Sequence, residues 1–301
     1  MAKRSIIHML DPNYRNSPFD INMALDAGFD AIIPYPNIQL EEIAGMTQDA
    51  IFSRGPAGAK QTTLFIGGRE IGLAMDMLET AKKSMSPPFE ISVFADPSGA
   101  FTTAASLVAC VERELKKITN KDLTGTRVVV FGGTGPVGLA TAVIAAQQGA
   151  ETTIVDHFSI DTALELATEA GQRFDVSLIA TAAASDADKA RLLSNADVVF
   201  CTAKAGIEVL NKSVLADAKQ LKVVGDVNAV APLGIAGLGI MDFGEPLVHA
   251  INSPEAVGIG ALAVGNIKYQ LQHAMLKEIL LSDKPVFLDF RAAFDGARKL
   301  V

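Results

Sequence analysis

Apolar residues come in short blocks along this chain, and the spacing inside the blocks changes from one to the next. Runs at 6–10, 31–34, 63–66 and 91–95 read as strands, because short, nearly continuous apolar segments suit a sheet covered on both faces. Between them, 17–27 opens on Ser17-Pro18 and stops at Gly28, and 70–84 carries helical spacing. A longer helical pattern at 102–118 ends in the polar joint Thr119-Asn120-Lys121-Asp122-Leu123-Thr124-Gly125. Further strand-like runs follow at 128–131, 152–155, 176–180, 198–201 and 222–224, again with helical patterns between them. Beyond Asp226 glycine and proline dominate as far as Gly265, and 267–281 is then a helix stopped by Ser282-Asp283 and Pro285. Such alternation predicts an α/β protein of two α/β lobes. Residues 1–120, completed by 267–301 crossing back, form the expected substrate domain. Residues 121–266 form a Rossmann-type, doubly wound parallel sheet that binds NAD or NADP, with an interdomain cleft for ligands.

The densest signal is 128–138, Val-Val-Val-Phe-Gly-Gly-Thr-Gly-Pro-Val-Gly. An apolar strand runs straight into Gly133-x-Gly135-x-x-Gly138, and a helix starts at Pro136. Gly133 is expected to make a tight turn, Gly135 to let backbone amides approach a pyrophosphate, and Gly138 to let helix and strand pack closely. Pro136 costs nothing in a first helical turn, and the free amides of Val137 and its neighbours beside Thr134 favour an anion. The next strand ends in Asp156, 18 residues beyond Gly138, where an acid meets the adenosine ribose. A carboxylate there favours NAD over the 2′-phosphate of NADP. No arginine follows it, although His157 and Ser159 leave room for dual use. A tight turn in an ordinary α/β domain, with Asp156 as a helix cap, is the bland alternative.

Composition narrows the classes. The chain has 301 residues, 49% hydrophobic and 20% charged, which implies a buried core and not disorder. A net charge of −8 disfavours nucleic acid and anionic membranes as partners. No uninterrupted apolar stretch approaches the roughly 18 residues of a membrane span. The opening apolar run ends at Asp11, too short for a secretory signal core. A cytoplasmic protein is expected. Cys110 and Cys201 lack a CxxC partner and read as buried thiols. Flat, alanine-rich helical faces make a homo-oligomer plausible.

Elsewhere the residues allow two readings each. Asn228, in the small-residue loop 225–237, either meets a carboxamide or sits in a plain connection. Lys268 follows the glycines of 258–265 and is either a solvated helix lysine or a site lysine. Asp20 stands in the first turn after Ser17-Pro18, where the helix dipole already explains it. Gln61, Thr102 and Thr103 flank element ends as caps or as ligand contacts. The histidines show no metal-ligand spacing, and no metal site is expected.

Taken in order, Pro18-Phe19-Asp20, Ser53-Arg54-Gly55, Lys60-Gln61-Thr62, Phe65-Ile66-Gly67-Gly68 and Thr102-Thr103-Ala104-Ala105 form a specific set. It continues with the glycine fingerprint, Asp226-Val227-Asn228-Ala229, Pro232-Leu233-Gly234-Ile235 and Gly260-Ala261-Leu262 with Lys268. Over essentially its whole length the chain resembles bacterial NAD(P)-dependent methylene-tetrahydromethanopterin dehydrogenases, which are similar to methylene-tetrahydrofolate dehydrogenases. The resemblance implies direct hydride transfer from a methylene-pterin to NAD or NADP, with tetrahydromethanopterin as one-carbon carrier and no metal. It makes Lys268 the active-site lysine, neutral or directed at pterin polar atoms. It places Asp20, Gln61, Thr102 and Thr103 on the pterin side. The strictly NADP-dependent branch carries an arginine-containing turn where this chain has Asp156-His157, so the resemblance implies use of NAD alongside NADP. A tetrahydrofolate carrier, or a dinucleotide-binding redox sensor without turnover, are the other readings.

Overall fold

A computed structural model describes residues 3–301. The chain begins β1 (Ile6–Asp11), α1 (Pro18–Ala27), β2 (Ala31–Pro36), α2 (Ile43–Phe52), α3 (Gly55–Ala59), β3 (Thr62–Ile66), α4 (Ile71–Lys83), β4 (Ser92–Ala95) and α5 (Ala100–Thr119). It continues β5 (Arg127–Phe131), α6 (Pro136–Gln147), β6 (Glu151–Asp156), α7 (Ile160–Phe174), β7 (Leu178–Ala182) and α8 (Asp186–Leu193). Then come β8 (Val198–Cys201), α9 (Lys212–Ala216), β9 (Val223–Asp226), β10 (Phe243–Pro246), β11 (Val257–Ile259), α10 (Ala261–Leu281), β12 (Phe287–Leu288) and α11 (Phe290–Ala297). Among the described residues no helix is long and apolar enough to cross a membrane.

Local chemistry explains the first helix. Ser17 caps α1 by accepting from the Asp20 amide at 3.4 Å, Pro18 occupies a first-turn position, and Gly28 closes the helix at φ 110°. In α4, Ile71, Ala74, Met75, Leu78 and Ala81 recur at helical spacing and are buried, while Lys82 and Lys83 sit at the last turn, where the dipole favours cations. Every residue of β3, β4, β8 and β9 is buried, which is why these strands read as unbroken apolar runs.

Contacts divide the chain into two compact units. One comprises the residues up to Thr102 with Tyr269–Gly296, the other Thr103–Lys268 with Ala297–Val301. The first holds a five-stranded sheet in the order β12-β4-β3-β1-β2 with every pairing parallel. The second holds a seven-stranded sheet, β10-β11-β9-β8-β5-β6-β7, parallel except for the β10–β11 pair. Most of α5 belongs to the second unit. At Gly225 on β9, a Cβ would lie 2.6 Å from Leu107 Cδ1 and 3.0 Å from Val111 Cγ2, so the bare glycine lets that helix press on the strand. The stretch after Asp226 is less irregular than its glycine content suggests. It contains β10 and β11, and α10 already begins at Ala261.

Candidate active site

In the second unit the strand order turns back on itself between β5 and β8, and open α/β sheets gather ligands outside the carboxyl ends of strands at such a point. A cavity of about 470 Å³ opens there. Gly132, Thr134, Gly135, Asp156, His157 and Phe158 line it, with apolar walls from Val155, Ala183 and Ile207. The tight turn expected at Gly133 falls one residue earlier, at Gly132, whose φ is 73°. Gly138 is small for a steric reason: a Cβ would lie 2.2 Å from Gly132 O and 2.6 Å from Thr202 Oγ1. The helix it begins therefore starts hard against the turn. No side chain caps α6, and Pro136 stands in its first turn, so the leading amides of Val137 and Gly138 are left for an anion.

Asp156 stands at the carboxyl end of β6, on the cavity wall. Its Oδ2 accepts from Thr134 Oγ1 at 2.7 Å, and Oδ1 accepts from the Phe158 and Ser159 amides at 2.8 Å each. Partial burial raises its pKa. The bonds from Thr134, Ser159 and Phe158, with His157 nearby, outweigh that and hold it below the usual carboxylate range. His157 is exposed on the rim, its ring edge-on to the largely exposed Phe158 with centroids 4.2 Å apart.

Asn228 departs from expectation. It is buried and does not line the cavity. Its Oδ1 accepts from the amides of Gly206 (3.0 Å) and Val230 (2.9 Å), and its Nδ2 donates to Pro232 O at 2.9 Å. Those bonds fasten its own loop. Beside it the buried Asp226 accepts from the Asn228 and Gly234 amides, both at 2.9 Å. Burial pushes that carboxyl up to about 6 against the pull of these amides and of Val227.

The first sheet has its own reversal, between β1 and β3, in the 2-1-3-4-5 order of flavodoxin-like sheets. A second cavity, about 460 Å³, lies at that carboxyl edge. Asp11, Asn13, Asn16, Ser17, Asp20, Gly68 and Ser98 line it, with Tyr14, Arg15 and Arg69 also contributing. Asp11 ends β1 and is 6% exposed; burial raises its pKa against the amides of Asn13 and Gly68 and the Asn13 side chain. Asn16 Nδ2 donates to Met9 O at 2.9 Å, whereas its buried Oδ1 has no donor among the described residues. A buried acceptor without a donor marks a place where a ligand or water completes the bonding. Ser98 holds φ 52°, unusual for a residue with a Cβ, while donating to Gly68 O at 2.7 Å. Asp20, buried in the first turn of α1, accepts from Gln272 Nε2 at 2.7 Å.

The other expected substrate residues divide. Thr102 is fully buried, and its Oγ1 donates to Asp96 Oδ2 at 2.7 Å while its amide reaches Asp96 Oδ1 at 3.1 Å. It supports the segment carrying Ser98 and does not line the cavity. Thr103, the next residue, is half-buried in α5. Gln61 is misplaced by expectation. It precedes β3, its carbonyl accepting from the Ile6 amide at 2.9 Å and from Arg54 Nη1 at 3.1 Å. The five residues of β3, roughly 16 Å of extended chain, separate it from the carboxyl edge. Lys268 is half-buried on α10, one helical turn before Gln272. Asp11, Asn16 and Ser98 escape the sequence reading. For Asp11 the signal was present: it closes an apolar strand as Asp156 does. Among the described residues, no group of three His, Cys, Asp or Glu side chains is placed to hold a metal.

A family model described as methylene-tetrahydromethanopterin dehydrogenase, N-terminal, matches residues 18–98. The NAD(P)-dependent methylenetetrahydromethanopterin dehydrogenase of Methylorubrum extorquens is 44% identical over 291 residues, covering 97% of each chain. The bifunctional protein MdtA of the same organism is 30% identical over 287 residues, covering 95% of this chain and 96% of that one. Among solved structures, quinate dehydrogenase from Corynebacterium glutamicum in complex with NAD shares the fold at 14% identity, with a TM-score of 0.53 over 98% of both chains. The chain belongs to the family of NAD(P)-dependent methylene-tetrahydromethanopterin dehydrogenases.

Proposed function

We propose that this protein oxidises methylene-tetrahydromethanopterin to the methenyl cation, with NAD or NADP as hydride acceptor, in cytoplasmic one-carbon metabolism on the path from formaldehyde towards formate. The observation that carries the reading is the presence, in a chain of this family, of a cavity at the reversal point of each sheet, one lined by the glycine loop and Asp156 and one lined by buried acceptors.

The dinucleotide fits the second unit's cavity. The uncapped start of α6 and the bare backbone at Gly135 suit the pyrophosphate, Asp156 suits the ribose, and the apolar walls with Phe158 suit the adenine. When bound, the nicotinamide supplies the hydride acceptor at its C4. The first unit's cavity offers Asp11, Asp20 and Asn16 Oδ1 to the N–H and amino donors of a pterin. These residues bind and orient. Direct transfer needs the reacting carbons within roughly 3–3.5 Å of each other. One hydride leaves the methylene carbon with its bonding pair, the flanking nitrogens share the positive charge, and no proton has to be moved by the protein.

The reading is tested by mixing the protein with methylene-tetrahydromethanopterin and each nicotinamide, and following formation of reduced nicotinamide by absorbance. Both cofactors are expected to be reduced, and no reduction of either would sink the assignment. Equal efficiency with methylene-tetrahydrofolate would move the carrier assignment to folate. Asp156→Ala is expected to raise the NADP:NAD ratio of kcat/KM by about tenfold, the equivalent of roughly 1.4 kcal/mol. The variant loses an acceptor for the ribose hydroxyls and a charge that repels the 2′-phosphate. An unmoved ratio would take Asp156 out of the ribose site.

A further inference from the structure

The carboxylate of Asp156 is already engaged by its own surroundings. An ionised carboxylate offers about four acceptor directions. Three donors reach this one: Thr134 Oγ1 on Oδ2, and the Phe158 and Ser159 amides on Oδ1. Thr134 stands in the glycine loop 22 residues away in sequence, so its bond ties the loop after β5 to the loop after β6. The ribose diol of NAD presents two hydroxyl donors, and an unencumbered acid at this position would accept both. Held from three sides, Asp156 has about one direction left. Its charge is also spread into three hydrogen bonds, which softens the repulsion of a 2′-phosphate.

We propose that Thr134 is a positioning residue that sets the balance between NAD and NADP, by holding Asp156 back from full engagement with the ribose. The proposal rests on the dinucleotide reading of this cavity. It accounts for an acid at the ribose position in a family whose named member uses either cofactor. Freed of Thr134, the carboxylate has a second direction for the ribose hydroxyls and a less neutralised charge towards the 2′-phosphate. Affinity for NADH is then gained and affinity for NADPH lost.

Dissociation constants for NADH and NADPH, read from the fluorescence of the reduced nicotinamide with the full-length protein, test this. Thr134→Val keeps the shape and drops the hydroxyl, and Thr134→Ala is a second donorless variant. Either is expected to raise the ratio Kd(NADPH):Kd(NADH) by about fivefold or more, since hydrogen bonds to charged groups exceed neutral ones in strength. Thr134→Ser, which keeps the donor, should leave the ratio at the wild-type value. In an Asp156→Ala background, Thr134→Val should no longer move it, because the effect runs through the carboxylate. A general loosening of the loop would weaken both cofactors alike. An unchanged or lowered ratio in the donorless variants, a serine variant shifting as far as valine, or an equal shift without Asp156 would each overturn the proposal. Wild-type protein that binds neither nicotinamide would overturn the cavity's dinucleotide reading itself, and this inference with it.

Discussion

Alanine at position 138 is expected to cut kcat/KM for both NAD and NADP by about 100-fold or more, with the folded protein still obtainable. Its Cβ would stand 2.2 Å from the Gly132 carbonyl oxygen and 2.6 Å from Thr202 Oγ1. Neither neighbour can give way cheaply. Gly132 is the turn residue with positive φ, where a Cβ would meet the Ala203 amide nitrogen at 2.6 Å. Thr202 Oγ1 donates to the Phe131 carbonyl at 2.9 Å. The start of α6 must therefore shift, taking with it the amides that would meet the pyrophosphate. A displacement of about 1 Å can cost 10²-fold in rate, and overpacking of this kind costs about 1–3 kcal/mol of stability. Steady-state kinetics and a urea midpoint measured together check both parts. Wild-type kinetics in the alanine variant would show that close packing at this glycine is not what places the helix.

Lys268→Met is expected to lower kcat/KM for the pterin by about 10- to 100-fold while leaving the dissociation constant for NADH near its wild-type value. Methionine keeps much of the length of the side chain and removes the ammonium and its three donors. A hydrogen bond from a charged group is worth about 1.5–3 kcal/mol, which sets the size of the loss. The developing methenyl cation gains nothing from a nearby fixed positive charge. The family resemblance implies that Lys268 orients the pterin through its polar atoms, and on that role Lys268→Arg should recover little, because a planar fork replaces a compact charge. Near-normal turnover and pterin KM in the methionine variant would remove Lys268 from the site.

The sequence showed these two positions with unequal clarity. The glycine fingerprint was legible because its causes are local: strand, turn and helix start are contiguous, and the small residues are required by atoms only a few positions away, such as Gly132 O beside Gly138. The cap of α1 by Ser17, Pro18 and Gly28 was legible for the same reason. Lys268 stood out only through the family resemblance, since a lysine on a helix has no local signature of function. Gln61 and Asn228 show how little residue type says about position. Each has suitable chemistry, yet one lies at the amino edge of the first sheet and the other spends its amide on Gly206, Val230 and Pro232. The short strand β11, three residues long, pairs with β9 more than thirty residues earlier, and no pattern inside such a segment announces that pairing. The helices α2 and α3 were likewise unanticipated; α2 has Gly45 in its interior and buries only Ile43, Thr47 and Ile51.

Read alone, the chain determined that strands and helices alternate, that a strand runs through a glycine turn into a helix at Pro136, and that the next strand ends in Asp156. These follow from periodicity and from steric demands between near neighbours. Tertiary structure alone decided the strand orders, and with them the reversal points where cavities open at Asp11 and Asp156. It alone joined Gln272 to Asp20 across 252 residues and bound Thr134 to the carboxylate of Asp156. Which edge of a sheet a polar residue occupies, and whether its atoms are already taken, depends on partners far away in the chain.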